Sequence, residues 1–403
     1  MAEVTNYIDR LVAELCPDGV EYRPLESLGK RNKGTAITAS KMRSLEPGNK
    51  DLRIFAAGST FVDTDSSNIP AKDILHGPAI IVKSRGYIGF EYYEESFTHK
   101  NEMWSYTLDS KIVDQKFIYY YLLTQAYYLQ ELARSKSVKL PQLAVKDTDS
   151  LEVPVPPLEI QEAIVEILDK FTNLEAELEA ELEARTLQYE YYRNSLFEAL
   201  DCPRVPLGSF ARLVRGSGMP KTDFSESGVG AIHYGQIYTK FGTATAEVIA
   251  HVPEDKAKKL AVVNPGDVIV ANTSENLEDV CKAVAWVGDS DIVTGGHATV
   301  IKAPEQNAKF ISYYMATGRF NKDKRRHAFG TKVIDVAPKN LAKIEFPVPP
   351  LEEQQRIVDI LDRFDSLTTS LSEGLPAELA ARRSQYEYYR DQLLTFPRKG
   401  DNQ

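Results

Sequence analysis

EVPVPPLEIQEAIVEILDKF, residues 152–171, opens a segment that ends in QYEYYRNSLF at residues 188–197 and occurs twice in this chain. The second copy starts at Glu345 with EFPVPPLEEQQRIVDILDRF and later reads QYEYYRDQLL. Around this segment, residues 116–171 align with residues 309–364 at a constant offset of 193 without a gap. A long self-match at one offset is the signature of an internal repeat. The sequence therefore predicts that one architectural unit is built twice.

Each copy is predicted to form a strand end, a proline stop and a long helix. The VPVPP and FPVPP runs exclude a helix, because proline fixes φ and biases the preceding residue toward extended geometry. Beyond the prolines, apolar residues recur at alternating steps of four and three, which is typical of a coiled-coil seam. In the first copy these are Ile164, Leu168, Phe171, Leu178, Leu182, Tyr189, Tyr192 and Leu196. At 1.5 Å per residue, roughly 40 residues make a helix of about 60 Å.

The second long helix is predicted to be interrupted. Its spacing from Phe364 to QYEYYR is four residues longer than in the first copy, and Gly374 and Pro376 lie in between. Four extra residues form a stutter and a Gly-Pro pair favours a kink, so we expect a break near residues 372–376. Because a single helix of this kind is marginal in water, the two helices are expected to pack together. A coiled coil that only dimerises the protein is the alternative.

The fold class predicted from these features is α/β, of the mixed α+β kind. Two globular domains in a pseudo-twofold repeat are expected to be separated by two long antiparallel coiled-coil helices. The expected segments are an N-terminal helix packing on the helical spacer (1–19), the first globular domain (20–153), the first spacer helix (154–200), the second globular domain (201–346), the second spacer helix (347–397) and a disordered tail (398–403).

The composition indicates a protein that acts inside the cell. With 403 residues and 43% hydrophobic residues, the chain can fill two or three domain cores. Cys16, Cys202 and Cys281 form no CxxC pair, so we expect reduced thiols in the cytoplasm. The N-terminal residues lack a signal core, and no apolar run approaches the roughly 18 residues of a membrane span.

The net charge of −10 argues against nucleic-acid binding, but the charge is unevenly distributed. Residues 154–200 hold 11 acidic and 3 basic residues, and residues 347–396 hold 9 and 5, so the remainder is slightly basic. Clustered bases on small domains are typical of a phosphate-binding surface, although a solvated helix face is the alternative. The clustered residues predicted to bind DNA are Arg134, Lys136 and Lys139 in the first domain, and Arg319, Lys322, Lys324, Arg325, Arg326 and Lys332 in the second.

Two more candidates, Lys83 and Arg85, follow the predicted strand Ala79–Val82. They lie in a turn with Gly86 and Gly89, and such a turn lets the backbone approach a ligand closely. Both side chains are then free to reach a phosphate or a base edge. A plain glycine-rich hairpin explains the same residues.

In the second globular domain, Lys221 belongs to the glycine-rich stretch 216–222. This stretch lacks the Gly-Lys-Ser/Thr of a phosphate loop, so no nucleotide site is predicted. Residues 231–237 and 268–274 are expected to be strands that end in polar groups. Tyr234, Gln236 and Thr273 at these ends are candidate DNA contacts, although such polar residues also cap turns.

No catalytic centre is predicted. The six histidines show neither HxH nor HExxH spacing, so no metal site is expected. The chain also lacks a GxSxG element, a Rossmann glycine fingerprint and the Asn-Pro-Pro-Phe or Asp-Pro-Pro-Tyr of an adenine methyltransferase.

Taken together, a globular region, PxPPLxEQxxIVxxLDxF and a helix with QYEYYR, each present twice, resemble the DNA specificity subunit of type I restriction–modification systems. The first copy departs from this pattern at Ile160, where the second copy has Glu353. The resemblance covers nearly the whole chain. It implies that each globular domain is a target recognition domain that reads one half of a bipartite site in double-stranded DNA. It also implies that the helices act as a ruler and dock two methyltransferase subunits.

Further expectations follow from the same resemblance. The partner subunits would modify adenine with S-adenosylmethionine, and a motor subunit would cleave DNA with ATP and Mg²⁺, while this chain carries no cofactor. The repeated faces predicted to dock the methyltransferase consist of Tyr189, Tyr191, Tyr192 and Arg193 in the first copy, and Tyr386, Tyr388, Tyr389 and Arg390 in the second. The competing interpretation is a coiled-coil scaffold or adaptor that does not bind DNA.

Overall fold

A computed structural model describes residues 2–45, 50–137, 139–368 and 374–400 of the chain, and for residues 2–6 only the backbone. The α-helices within these ranges are α1 (Ala2–Leu15), α2 (Ala39–Arg43), α3 (Gln115–Thr124), α4 (Ala126–Lys136), α5 (Val145–Asp149), α6 (Leu158–Glu198), α7 (Tyr234–Thr239), α8 (Glu254–Ala257), α9 (Ala308–Met315), α10 (Gly318–Lys324), α11 (Pro338–Leu341), α12 (Leu351–Thr368) and α13 (Gly374–Leu393). Both α6 and α12 begin directly after the repeated Pro-Pro pair. This is expected, because proline keeps the residue before it extended and is favoured near the start of a helix.

The first globular domain contains two four-stranded sheets. Its strands are β1 (Tyr22–Pro24), β2 (Gly29–Lys33), β3 (Leu52–Phe55), β4 (Phe61–Thr64), β5 (Leu75–His76), β6 (Ala79–Lys83), β7 (Gly89–Tyr93), β8 (Ser96–His99), β9 (Trp104–Leu108) and β10 (Glu152–Pro154). One sheet has the order β2-β9-β6-β7 and the other β4-β3-β8-β5, in which β3 and β8 run parallel. Strands β1 and β10 pair antiparallel at the base of the domain, next to the start of α6.

The second globular domain also contains two larger sheets, of five and four strands. Its strands are β11 (Arg204–Pro206), β12 (Arg212–Arg215), β13 (Val229–Ile232), β14 (Ala244–Thr245), β15 (Ala250–Val252), β16 (Ala261–Val263), β17 (Val268–Ala271), β18 (Thr273–Ser274), β19 (Ala283–Trp286), β20 (Ile292–Thr294), β21 (Ala298–Lys302), β22 (Ile334–Asp335) and β23 (Glu345–Pro347). Its larger sheets have the orders β12-β21-β17-β19-β14 and β15-β13-β20-β16.

The two domains share one strand connectivity. In the second domain β12, β21, β17 and β19 take the places of β2, β9, β6 and β7, and the pair β13–β20 is parallel like β3–β8. The two-stranded pairs β1–β10 and β11–β23 also correspond. The scaffold is therefore repeated even over the stretch before residues 116 and 309, where the two sequences diverge. This confirms the predicted α/β fold class with two domains in a pseudo-repeat.

The chain forms two compact units, Met1–Ala176 with Ala381–Gln403, and Glu177–Ala380. Within the first unit, Phe171 of α6 packs on Tyr386 and Tyr389 of α13, with ring centroids 6.3 and 5.9 Å apart. Glu175 and Arg383, which lie farther along α6 and earlier along α13, form an ion pair at 2.6 Å. The order of these contacts makes the two helices antiparallel.

The second unit contains the equivalent aromatic contact with the two copies exchanged. Here Phe364 of α12 lies against Tyr189 and Tyr192 of α6, at 6.4 and 5.4 Å between centroids. In both units the phenylalanine of the LDxF sequence therefore meets tyrosines from the QYEYYR of the other copy. This confirms the predicted pairing of the two long helices along their aromatic seam.

A buried glutamine joins each globular domain to its long helix. Gln161 Oε1 accepts from the amide of Asp114 at 2.7 Å, and its Nε2 donates to the carbonyl of Pro156 at 2.6 Å. Gln354 makes the same two contacts with Asn307 and Pro349, at 2.9 and 2.8 Å. Because an unpaired buried amide would be costly, these bonds fix the helix that begins at the proline stop against its domain.

Helix α1 packs on the C-terminal end of the same unit. Ile8 is buried in one apolar cluster with Leu393, Leu394 and Phe396. A groove of about 420 Å³ runs between the two segments. Helix α1 thus packs against the end of α13 and the residues that follow it.

Several local predictions need correction. The stretch 231–237 is not one strand, because β13 ends at Ile232 and α7 starts at Tyr234. The expected tail starts with ordered contacts, since Arg398 forms a β-bridge with Val20 and an ion pair with Glu152 at 2.6 Å; residues 401–403 lie outside the described ranges. The predicted break at 372–376 lies partly outside the described residues as well. The helix before it ends at Thr368 and the next starts at Gly374, whose φ is +76°.

Candidate functional site

Lys83 at the end of β6 and Arg85 in the turn that follows have different environments. Lys83 forms an ion pair with Glu91 on the neighbouring strand at 2.6 Å, and its side chain is only 17% exposed. Arg85 is exposed in the turn, beside the left-handed Gly86 (φ +81°). The turn is held from α4, because Gln130 accepts from the amide of Ile88 at 2.8 Å. Of this pair, the structure leaves Arg85 available for a ligand.

The basic residues of α4 are partly neutralised. Arg134 pairs with Glu131 at 2.5 Å, and Lys136 pairs with Asp147 of α5. Lys139 is exposed, and no ion pair links it to another described residue. The surface is thus less positive than a count of its bases suggests, but Arg134 remains largely solvent-exposed and can exchange its partner for a phosphate.

Lys324 is not a surface base, which corrects its assignment to the DNA-binding cluster. It is 2% exposed, and its Nζ donates to the carbonyls of Glu278 and Val280 at 2.6 and 2.7 Å. Burial lowers the pKa of this ammonium group. Lys324 therefore anchors the loop before β19 and is out of reach of DNA.

The remaining bases of this cluster lie at the surface. Arg325 and Arg326 make long ion pairs with Glu278 and Asp323, at 3.5 and 3.6 Å, and both arginines are more than half exposed. Exposed pairs at such distances contribute little stability. Arg319, Lys322 and Lys332 are exposed too, so this face retains a positive surface suited to a phosphate backbone.

Of the four candidates in this part of the second domain, two are used by the fold and two are accessible. Gln236 is used by the fold, because its Oε1 caps α7 by accepting from the amide of His233 at 2.8 Å. Thr273 is 8% exposed and its carbonyl accepts from Tyr238 at 2.8 Å. Lys221 is exposed, and Tyr234 is half-buried with its ring 4.4 Å from that of His233. Lys221 and Tyr234 are thus the accessible candidates here.

Sequence reasoning missed two histidines at this place. The ring centroid of His297 lies 5.1 Å from that of Tyr234. It is exposed and has a φ of +67°, which is uncommon for a residue other than glycine. Burial first, and the positive Lys221 second, lower the pKa of His233. The preceding Gly295–Gly296 was the one signal in the sequence that this turn is unusual.

The two QYEYYR sequences present matching faces. Tyr191 and Tyr388 point outward, 67% and 61% exposed, whereas Tyr189 is buried. Arg193 lies 5.2 Å from the ring of Tyr189, and Arg390 lies 5.7 Å from that of Tyr386. Tyr192 and Tyr389 stack on the phenylalanines of the seam. Each predicted docking set therefore combines seam residues, which hold the helices together, with one fully outward tyrosine.

Other features limit what the site can do. In the part of the chain that the structure describes, no group of three or more His, Cys, Asp or Glu residues is arranged to hold a metal ion. None of the described helices combines the length and apolar character needed to cross a bilayer. Burial raises the pKa of the Cys281 thiol to about 12, which makes it a poor nucleophile.

The sequence is similar to known specificity subunits over most of its length. The family described as the type I restriction modification DNA specificity domain matches twice, at residues 17–184 and 205–381. The type I restriction enzyme EcoR124I/EcoR124II specificity subunit of Escherichia coli is 36% identical over 254 residues, which cover 60% of each chain. A putative type I restriction enzyme specificity subunit of Haemophilus influenzae is 28% identical over 70% of this chain and 73% of its own.

Two solved structures share the fold. The S subunit of a type I restriction–modification system from M. genitalium has a TM-score of 0.56 at 16% identity, covering 93% of this chain and 96% of its own. A chain from a structure of type I R-M complex assembly and conformational transition has a TM-score of 0.58 at 14% identity, covering 95% and 98%.

Proposed function

Because the chain belongs to the family of type I restriction–modification DNA specificity domains, we propose that it is the sequence-specific DNA-recognition subunit of a type I restriction–modification complex. Each globular domain reads one half of a bipartite target in double-stranded DNA. The long helices set the spacing between the halves. The chain itself performs no chemistry.

One observation carries this proposal. The two globular domains share a strand connectivity, with equivalent sheets and an equivalent parallel pair, yet their loops carry different side chains. Two binding modules on one scaffold with different loops are suited to two different half-sites. Exposed arginines and lysines beside these loops provide the sequence-independent contacts to phosphate that position such a reader.

The docking of two methyltransferase subunits is proposed for the faces around Tyr191 and Tyr388. Their repetition at equivalent places of the helical pairs suits two copies of one partner, and an outward tyrosine is a residue type enriched at interfaces. The partner subunits would modify adenine with S-adenosylmethionine, and a further motor subunit would use ATP and Mg²⁺. The complex would act in the cytoplasm, where the host DNA lies.

The test is long-read mapping of modified adenines in cells that carry the methyltransferase gene, with and without the gene for this chain. Loss of modification at one bipartite sequence on removal of the chain is the expected result, and it also identifies the target. An unchanged pattern, together with failure to co-purify a methyltransferase, would favour a scaffold that does not bind DNA.

A further inference from the structure

Two glycine-rich loops, at residues 216–219 and 295–297, cross in the second globular domain. The amide of Gly216 donates to the carbonyl of Ala298 at 2.9 Å, and Ser217 pairs with Gly295 in a parallel bridge. A Cβ atom on Gly216 would collide with the carbonyl of Gly295, and one on Gly295 would collide with Met219. The crossing therefore requires a glycine in each of the two loops.

The crossing delivers His297 to the surface in a strained conformation. Its φ of +67° is sparsely populated by residues with a Cβ atom and persists only where the surroundings impose it. Within the described residues, neither the imidazole of His297 nor the hydroxyl of Tyr234 has a hydrogen-bond partner, although their rings lie 5.1 Å apart. Both polar groups are thus presented to a ligand and are not used by the fold.

The first globular domain builds the same crossing from other residues. The amide of Thr35 donates to the carbonyl of His99 at 2.8 Å, Thr35 pairs with Lys100 in a parallel bridge, and a Cβ atom on Gly34 would collide with the carbonyl of His99. Here the loop continues with Asn101 and Glu102. Ser84 donates to the carbonyl of Glu102 and brings the exposed turn of Arg85 to the same corner.

We infer that this loop crossing is the base-contacting corner of each domain, with His297 and Tyr234 reading base edges in the second domain and Arg85 doing so beside Glu102 in the first. The inference rests on the proposed function and names the residues that give each domain its sequence preference. A neutral imidazole offers one donor and one acceptor, and an arginine pairs with guanine through two parallel bonds, so both can distinguish bases in the major groove.

The corner is better suited to reading bases than the basic helices are. Arg325 and Arg326 already have carboxylate partners and lie on a helical surface, where a phosphate can replace the carboxylate. Phosphate contacts position a protein on DNA but carry no sequence information. The corner, in contrast, has an equivalent parallel bridge in both domains but carries the chemically different side chains Lys100, Asn101 and Glu102 against Gly295, Gly296 and His297.

The variant His297→Gly tests this assignment without adding strain, because glycine adopts a φ of +67° readily. The full chain is expressed with its methyltransferase, and modified adenines are mapped across the genome. At one position in one half of the target, modification of sites with a different base should rise about 10-fold, as expected for the loss of one base contact. The other half should be unchanged. His251→Ala, which replaces another histidine of the same domain on β15, should keep the wild-type target.

The reciprocal variant Arg85→Ala should relax the other half of the target. A wild-type target in both His297→Gly and Arg85→Ala would overturn the inference while leaving the proposed function intact. The proposed function itself would fail if the wild-type chain directed no modification at all.

If His297→Gly abolishes modification, competition binding by the purified complex decides the matter. Duplexes with the target and with single base changes are compared at one salt concentration. A loss confined to the target duplex supports a base contact by His297, whereas an equal loss on every duplex overturns it.

Discussion

Lys116 Nζ lies 2.8 Å from Asp169 Oδ2, and in the other half of the repeat Lys309 Nζ lies 2.8 Å from Asp362 Oδ2. The same carboxylates accept from Tyr120 and Tyr313, at 2.5 and 2.7 Å. In each copy one aspartate of the long helix thus holds the first helix after the sheets by two charge-assisted bonds. These contacts explain why Lys, Tyr and Asp recur at the offset of 193 residues.

Removing this carboxylate should loosen the domain from its helix. Asp169→Ala leaves Tyr120 and Lys116 without their acceptor in a partly buried place, so we expect the first unit to lose about 1–2 kcal/mol of unfolding free energy. In a Trp286→Phe background, denaturant unfolding followed by fluorescence of Trp104 measures this loss. Glu166→Gln on the same helix is the matched control, because its pair with Lys170 is fully exposed and should not affect stability. Equal effects of the two substitutions would show that the contact to Asp169 is no more than a surface ion pair.

Part of this architecture could be predicted from the sequence because it is local and periodic. The proline stops, the seam through Phe171 and Phe364 and the repeated tyrosines of QYEYYR are all visible as spacing. The shared sheet order could not be read from the sequence, since it depends on pairings between distant strands whose side chains have diverged. The crossing that presents His297 depends in the same way on two loops about 80 residues apart, which only the fold brings together.

The assignments of Lys324 and Gln236 failed for a different reason. Phe320 and Lys324 lie four residues apart on α10 and both are buried, so they share the inward face of the helix. Counting the charges from Lys322 to Arg326 hid this periodicity. Gln236 stands three residues after His233, the spacing of a capping box, and this position competes with a role in base recognition. In both cases the local geometry of a helix uses the polar group.

Replacing the buried Lys324 should lower stability without changing the salt dependence of DNA binding. Lys324→Ala leaves the carbonyls of Glu278 and Val280 without their donor and opens a cavity, so the second unit should lose about 2 kcal/mol or more. In a Trp104→Phe background, fluorescence of Trp286 on β19 reports this unfolding transition. At temperatures where the variant is folded, the salt dependence of DNA binding by the assembled complex should equal that of the wild type. A flatter salt dependence would return Lys324 to the phosphate-binding residues.

Neutralising Arg325 and Arg326 should weaken DNA binding and leave stability unchanged. Each phosphate contact that is lost reduces the slope of log affinity against log salt by about one. The double variant Arg325→Gln/Arg326→Gln should therefore bind all duplexes more weakly, by a similar factor, with a flatter salt dependence and unchanged stability. Titration of target and unrelated duplexes by the complex at several salt concentrations gives both quantities. An altered base preference with an unchanged slope would instead make these arginines readers of sequence.

The outward tyrosines should matter for assembly and not for folding. Tyr191→Ala with Tyr388→Ala removes two exposed rings while Tyr189, Tyr192 and Tyr389 keep the seam. We expect co-purification of the methyltransferase to drop strongly and the unfolding transitions to stay in place. Tyr127→Ala on α4 is the control, since this tyrosine is 79% exposed but lies off the long helices. Undiminished co-purification would remove these tyrosines from the docking faces.

His99 should make the first unit sensitive to acid. It is fully buried, its Nε2 lies 3.2 Å from Ser105 Oγ, and burial lowers its pKa to about 4. In the unfolded chain a histidine titrates near 6.5, so between these values the unfolded state binds more protons and stability rises with pH. From pH 6.5 down to about 4 this group alone should remove about 3 kcal/mol of unfolding free energy.

In a Trp286→Phe background, Trp104 fluorescence isolates the unfolding of the first unit. The difference in stability between this protein and its His99→Gln variant should shrink as the pH falls through that window. A difference that is independent of pH would mean that His99 is protonated equally in the folded and unfolded chain.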